Sequence, residues 1–204
     1  MTVLPSIEVY KLIQSRDLLI DPFELREEET PPASVDLRLS GKKLIYKLDK
    51  YTLGDEIPED SKEYEVIEDG VYNLKPGEGA VFQIYEKIAL PSFLIGIIFP
   101  RSSLTRLGVS LNPTYLNPGY QGYCPVLLVN HSPFEVKIPF KDGKSPRIAQ
   151  VIFISLKENP HRIYGEGIDE KYQNDKGYHS RFYQDIDVYE VLRPLVDIVK
   201  KHGF

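Results

Sequence analysis

The sequence is poor in three features that would each indicate a particular class of protein. Its 204 residues include one cysteine, Cys124, which excludes an internal disulfide and a cysteine-based metal cluster. No apolar run approaches the roughly 18 residues that a transmembrane helix needs. Lys and Arg total 25 against 30 Asp and Glu, whereas a nucleic-acid-binding face requires excess positive charge. We therefore expect no membrane or nucleic-acid partner and a reducing, cytoplasmic environment.

The overall composition is that of an ordinary globular protein, with 42% hydrophobic and 27% charged residues. The length suffices for one domain with a full core, or for one domain with appendages. The first 14 residues lack a basic segment followed by an apolar core, so no signal peptide is expected. With a net charge of −5, a local basic pocket would suit a small anionic ligand.

Short apolar or alternating segments, separated by Gly, Pro and Asp turns, dominate the first 156 residues. Residues 33–39 alternate, with Asp36 on the polar face. This spacing indicates a mostly β, antiparallel sandwich or barrel with a short N-terminal helix. The predicted strands are 33–39, 43–48, 64–67, 80–88, 93–99, 123–130, 134–138 and 148–154.

The last quarter of the chain has a different pattern. Residues 157–182 are rich in tyrosine and charge and lack periodicity, which is typical of a lid over a site or of a disordered linker. Helical spacing returns in residues 183–204, interrupted by Pro194. We predict a β-barrel domain over 1–156, an active-site arm over 157–182 and a C-terminal helical extension over 183–204.

Residues 99–122 form the most informative stretch, because they place basic and hydroxyl side chains between two apolar segments. Arg101 precedes Ser102 and Ser103, and Arg106 follows one helical turn later. A guanidinium group forms bidentate, charge-assisted bonds with phosphate, and hydroxyls add bonds to the same oxygens. The alternative is that one serine caps a short helix while the arginines are solvated. The spacing alone leaves both interpretations open.

Four motifs, in order along the chain, resemble the dCTP deaminase and dUTPase superfamily. They are PASVDLRL at 32–39, RSSLTRLG at 101–108, NPGYQG at 117–122 and RIAQ at 147–150. Tyr164 and Lys171-Tyr172 are similar to the tyrosines and lysine of the family's C-terminal tail. The motif order resembles the dCTP deaminase branch most closely, and the matches cover about residues 6–182.

The resemblance implies a distorted jelly-roll β-barrel of the dUTPase-like type. It also implies a homotrimer with sites at subunit interfaces, and dCTP or dUTP as ligand. Mg²⁺ would be bound through the nucleotide triphosphate, with no side-chain ligand. The nucleotide-binding residues that the resemblance implies are Arg101, Ser102, Ser103, Arg106, Asn117, Gln150, Tyr164, Lys171 and Tyr172. Among these, the catalytic candidates are Arg106, near the base and the reacting centre, and Ser102.

Two positions depart from the family in a way that affects chemistry. Leu127 stands where the resemblance implies the glutamate that activates water for deamination, and Asn117 stands where a dUTPase has its aspartate. Neither side chain can accept a proton at neutral pH.

Three hypotheses follow from these departures. The first is a dCTP deaminase, converting dCTP to dUTP, in which another carboxylate such as Asp36 or Glu135 acts as base. The second is a dUTPase, converting dUTP to dUMP and pyrophosphate, with an altered base. The third is a non-catalytic nucleotide-binding or trimeric scaffold protein.

Overall fold

The computed structural model of the chain describes residues 1–26, 29–166, 172–174, 180–184, 198 and 201. The chain divides into two compact units, Met1–Lys43 with Glu65–Tyr178, and Leu44–Tyr64 with His179–Phe204. No helix in these described ranges is long and apolar enough to cross a membrane. Most of the predicted C-terminal helical extension lies outside the described residues, and the predicted domain boundaries stay predictions.

The chain is mostly β, as predicted, and its first helix lies at the N-terminus, also as predicted. Helix α1 spans Ser6–Gln14 and helix α2 spans Ser102–Arg106. The strands are β1 (Thr2–Val3), β2 (Leu19–Asp21), β3 (Val35–Tyr46), β4 (Lys62–Val66), β5 (Gly70–Leu74), β6 (Gly79–Ile84), β7 (Lys87–Ala89), β8 (Leu94–Pro100), β9 (Val109–Leu111), β10 (Thr114–Leu116), β11 (Gln121–Gly122), β12 (Pro125–Asn130), β13 (Val136–Phe140) and β14 (Lys144–Ser155).

The strands form one large and two small antiparallel sheets. The large sheet has the order β10-β8-β14-β3-β6-β12-β9, with β1 paired to β14 and β4 to β3. The small sheets have the orders β11-β7-β2 and β13-β5. Because β14 lies between β8 and β3, it brings the 32–39 and 147–150 motifs beside the strand that leads into α2.

The core of the first unit follows the alternation of the sequence. Inward residues of β3, such as Leu37, are fully buried, and so are Val151 and Phe153 of β14. The residues between them in the chain face outward and are only partly buried. Burying such side chains contributes roughly 1.5–3 kcal/mol each relative to exposure. One face of the β3–β14–β8 sheet is therefore packed, and the opposite face can carry polar side chains.

Strand β3 is longer than predicted, because it runs without interruption through the two predicted strands 33–39 and 43–48. Gly41 permits this. A Cβ built there would lie 1.8 Å from the carbonyl oxygen of Ile67, and the Ile67 amide donates to the Gly41 carbonyl at 3.0 Å. Glycine inside a strand marks such a close approach of two backbones. The prediction of separate strands was wrong because this contact is not visible in the sequence.

The second unit has its own local bonds. Within it, the amide of Lys47 donates to the carbonyl of Ser61 at 2.9 Å, and the Lys47 ammonium lies 2.8 Å from Glu63. The amide of Ser180 donates to the Tyr46 hydroxyl at 2.9 Å. The last of these contacts joins the segment 44–64 to a residue close to the end of the predicted arm.

Candidate functional site

Helix α2 presents polar side chains outward while one leucine holds it to the core. Leu104 is buried, whereas Ser102, Ser103 and Arg106 are exposed. Gly108, at φ +80°, follows the helix and donates its amide to the Thr105 carbonyl at 3.0 Å, so the left-handed conformation ends the turn. The stretch 99–122 is thus not a simple loop, because it also contains β9, β10 and β11.

The interpretation of Ser102 or Ser103 as the helix cap is wrong. The N-cap position belongs to Arg101, whose carbonyl accepts the amide of Leu104 at 2.9 Å, and no side chain caps the helix. Within the described part of the chain, neither serine hydroxyl has a hydrogen-bond partner. Both hydroxyls therefore face solvent beside Arg101.

Arg101 is held along one edge of its guanidinium group. Its Nη1 lies 3.3 Å from Oδ2 of Asp36 and donates to the carbonyl oxygen of Arg147 at 3.2 Å. The Asp36 side chain is 9% exposed and the Arg101 side chain 42%. No described residue accepts a bond from Nη2 or Nε of Arg101. A fixed guanidinium with unused donors at the surface can bind an anion without first being ordered.

Gln150 lies in the same outward row of side chains as Asp36. It pairs with Asp36 of β3 on one side and with Phe99 of β8 on the other. Its Nε2 donates to the Pro100 carbonyl at 3.3 Å, and the Ser34 hydroxyl lies 3.5 Å from its Oε1. The structure thus brings three distant motifs together around Arg101, because β14 pairs with both neighbouring strands.

Asn117 begins a tight turn at a different place. The amide of Tyr120 donates to the Asn117 carbonyl at 3.0 Å, and Gly119 has φ +82°. Proline at the second position and a left-handed glycine at the third are typical of a type II turn. The Asn117 side chain is exposed.

Two tyrosines of the predicted arm lie against this turn rather than beside Arg101. The Tyr164 amide donates to the Pro118 carbonyl at 2.8 Å, and the Tyr172 amide donates to the Tyr164 hydroxyl at 3.1 Å. The rings of Tyr120 and Tyr164 are 6.2 Å apart. Lys171, the third arm residue of the prediction, lies outside the described residues.

The predicted site residues therefore fall into two groups that one chain does not bring together. Leu116, which precedes Asn117, pairs with Gly96 of β8, and Gly96 lies five residues before Arg101. At about 3.3 Å per residue, this separates Leu116 from Arg101 by about 17 Å along the strand. We call Arg101–Arg106, Asp36 and Gln150 the Arg101 cluster, and Asn117, Tyr164 and Tyr172 the turn group.

Position 127, where the family resemblance implies a glutamate, has an apolar side chain with an apolar neighbour. Leu127 faces outward on β12, half-buried, directly opposite Val81 of β6. Glu135 is exposed in the loop between β12 and β13, without a described hydrogen bond. Asp36 is bonded to Arg101. Among the described residues, an apolar pair occupies the position where the family resemblance implies a base.

An ion network centred on the buried Glu86, beside the Arg101 cluster, was not predicted from the sequence. Glu86, 2% exposed, accepts the Arg38 amide at 3.0 Å and lies 3.2 Å from Arg38 Nη1. Arg38 Nη2 also lies 2.8 Å from Glu24, whose other oxygen lies 3.1 Å from Lys144. The only sequence signal was the polar face of residues 33–39.

The two carboxylates of this network have opposite pKa shifts. Burial raises the pKa of Glu86, and its bonds to Arg38 oppose that shift. The hydrogen bond from Lys144 lowers the pKa of Glu24, assisted by the positive charge of Arg38. We infer that this network holds β3 against the β6–β7 connection and that its role is structural.

Comparison with known proteins identifies the same family as the sequence motifs. A model of the dCTP deaminase-like family matches residues 3–156. The chain belongs to this family. It is 31% identical over 181 residues to the "dCTP deaminase, dUMP-forming" of Dictyoglomus turgidum, covering 86% of this chain and 91% of the relative. It is 29% identical over 182 residues to the "dCTP deaminase" of Haloarcula marismortui, with coverage of 86% and 91%.

One solved structure shows the same fold. The structure of 2′-deoxycytidine 5′-triphosphate deaminase from Agrobacterium tumefaciens superposes with a TM-score of 0.54 at 23% identity. The match covers 74% of this chain and 47% of that one, so this chain spans about half its length. At this identity the likeness shows the fold alone. It confirms the prediction of a dUTPase-like jelly-roll barrel for this member of the dCTP deaminase-like family.

Proposed function

We propose that this protein binds a deoxynucleoside triphosphate, dCTP or dUTP. The observation that carries the proposal is Arg101, held on one edge by Asp36 and with its remaining donors open beside the hydroxyls of Ser102 and Ser103. Guanidinium and hydroxyl groups in this arrangement suit the non-bridging oxygens of a phosphate chain. The names of the family's curated relatives supply the class of ligand.

The remaining residues are assigned to this ligand by family resemblance. Arg106 would lie near the base and the reacting centre, and Gln150 would bind phosphate from β14. Tyr164 and Tyr172 would cover the triphosphate from the arm, together with Lys171. The half-buried position of Gln150 beside Arg101 supports its assignment.

Mg²⁺ would accompany the nucleotide instead of binding to protein side chains. In the described part of the chain, no three His, Cys, Asp or Glu side chains are grouped closely enough to hold a metal ion. Asp36, the carboxylate nearest to Arg101, is bonded to that arginine. Mg²⁺ commonly retains phosphate and water ligands, and would neutralise part of the triphosphate charge.

We further propose that a site is completed by another copy of the chain in a homotrimer. The separation of about 17 Å along β8 supports this, because no described contact within one chain brings the turn group against the Arg101 cluster. The outward face of β12 also supports it. Pro125, Leu127 and Val129 lie there half-buried, an apolar surface suited to contact with a second copy.

The proposed ligand is bound without rapid turnover. Deamination needs a group that takes a proton from water and later protonates ammonia, and hydrolysis at phosphorus needs a base for water. Leu127 and Asn117 supply neither. Removal of a general base typically lowers a rate by ~10²–10⁴-fold.

A second candidate function is dCTP deamination with Asp36 as the substitute base. Its support is that Asp36 is the described carboxylate in contact with Arg101. Against it, the ion pair with Arg101 already uses that carboxylate. Hydrolysis of dUTP is the remaining alternative.

One assay distinguishes these functions. Purified protein is incubated with dCTP or dUTP and Mg²⁺, binding is measured by calorimetry, and ammonia and pyrophosphate are followed. Binding without either product is the expected result. Ammonia from dCTP would establish deamination, and pyrophosphate from dUTP without ammonia would establish a dUTPase. Absence of both binding and turnover would overturn the proposal.

A further inference from the structure

Arm residues 172–174 lie along the free edge of β11. In the described sheet β11-β7-β2, strand β11 has a neighbour on one side only. On the other side, the Gln121 amide donates to Gln173 Oε1 at 2.9 Å, and the Asn174 amide donates to the Gln121 carbonyl at 2.8 Å. Backbone groups at a strand edge require partners, and the arm supplies both here.

The side-chain amide of Gln173 also reaches the turn that precedes β11. Its Nε2 donates to the Gly119 carbonyl at 2.9 Å while its Oε1 accepts from Gln121. A primary amide is both donor and acceptor, so one side chain bridges a carbonyl and an amide two residues apart. A carboxylate could not make both bonds, because it lacks the donor when ionised.

Two glycines make room for this contact. A Cβ on Gly119 would lie 2.7 Å from the Tyr164 carbonyl oxygen, and a Cβ on Gly165 would lie 2.8 Å from Gln173 Nε2. Both glycines also have positive φ angles, +82° and +99°. Any other residue would therefore be strained and would displace the arm from the turn.

The two arm tyrosines lie at the same turn as this contact. Tyr164 is bonded through its amide to Pro118, and Tyr172 is bonded through its amide to the Tyr164 hydroxyl. Gln173 adjoins Tyr172 directly. Both tyrosines are thereby held beside the turn that carries Asn117.

We propose that Gln173 is a positioning residue that joins the arm to the 117–121 turn. Asn117, Tyr164 and Tyr172 then form one preorganised surface that contacts a nucleotide as a unit. The effect on ligand binding rests on the proposed function, whereas the docking of the arm does not. Preorganisation lowers the entropic cost of binding. Loss of the Gln173 hydrogen bonds therefore weakens nucleotide affinity without altering the ligand-contacting residues.

The docking is tested by amide hydrogen exchange in the full chain without ligand. Gln173→Ala is compared with wild type and with Gln121→Ala, a matched control whose side chain makes no described hydrogen bond. We expect exchange at the Gln121 and Asn174 amides to rise by roughly 5- to 100-fold in Gln173→Ala, the factor expected for two lost hydrogen bonds. Wild-type exchange at Asn174 in the Gln121→Ala control supports the assignment to Gln173. Unchanged exchange in Gln173→Ala would overturn the proposal.

The positioning role is tested by the affinity for dCTP and dUTP, with the unfolding midpoint recorded in parallel. Gln173→Ala should bind roughly 5- to 100-fold more weakly while its unfolding midpoint stays well above the assay temperature, and the control should bind like wild type. Faster exchange with unchanged affinity would overturn the positioning role and leave nucleotide binding intact. If wild type binds neither nucleotide, the proposed function fails together with the positioning role, and the exchange data still decide whether the arm is docked by Gln173.

Discussion

Oδ2 of Asp36 lies 3.3 Å from Nη1 of Arg101, although the two residues are 65 positions apart in the chain. Strand β14 makes this contact possible, because it pairs with β3 on one side and with β8 on the other. The pair joins the first family motif to the second. It also assigns Asp36 a partner, which bears on whether this carboxylate orients an arginine or acts as a base.

We predict that Asp36 orients Arg101 and is not a base. Asp36→Ala should weaken dCTP binding by about fivefold, ~1 kcal/mol, a value discounted for the partial exposure of Arg101. Asp36→Asn keeps an acceptor oxygen and should bind like wild type. Calorimetry measures both affinities. If wild type releases ammonia and Asp36→Asn lowers that rate by ~10²–10⁴-fold at unchanged affinity, Asp36 is the base instead.

Arg101 itself is predicted to be the principal phosphate ligand. Arg101→Ala should weaken dCTP binding by ~1.5–3 kcal/mol, the net value of hydrogen bonds to a charged group. Arg26→Ala removes the same charge from an exposed arginine on another part of the chain and serves as the control. Titration at two salt concentrations separates local contact from general charge. Equal losses in both variants would contradict the assignment.

Restoring the family carboxylates should restore chemistry. We predict that Leu127→Glu combined with Asn117→Asp raises ammonia release from dCTP by at least ~10²-fold over wild type. Leu127→Gln with the same second change is the matched control, because it has the shape of glutamate without a proton acceptor. Ammonia release is followed alongside dCTP affinity. A glutamate variant that folds and binds dCTP but gains no activity would show that more than the base is missing.

The buried pair Glu86 and Arg38 predicts a specific dependence of stability on pH. Because the pKa of Glu86 is raised in the folded state, that state retains a proton that the unfolded chain loses above its ordinary pKa of 4.5. The free energy of unfolding therefore falls as pH rises through this window. Glu86→Gln lacks the titrating group and should gain stability relative to wild type as the pH rises above 4.5. Urea unfolding of both proteins across this range measures the difference, and a relative loss of stability in the variant would show that Arg38 dominates.

The sequence predicted the main features of the fold because the long strands of the large sheet, such as β3, β8 and β14, have buried faces. Alternation in residues 33–39 correctly located the core face of β3, and the run before Arg101 correctly indicated a buried strand. It could not show that β3 continues through Gly41. It also could not show that the predicted strand 80–88 breaks at Tyr85 and Glu86, where the Tyr85 amide donates to the Arg38 carbonyl at 3.0 Å. Both features depend on contacts between distant segments.

The sequence itself determined the family and predicted the phosphate-binding side chains, because motif order and residue chemistry are local properties. The absence of a carboxylate at Leu127 and at Asn117 was equally visible there. Only the tertiary structure decided that Asp36 is paired with Arg101, and that Leu116, the residue before Asn117, lies about 17 Å from Arg101 along β8. Strand pairing sets these distances, and it arises from hydrogen bonds between segments that no local pattern encodes.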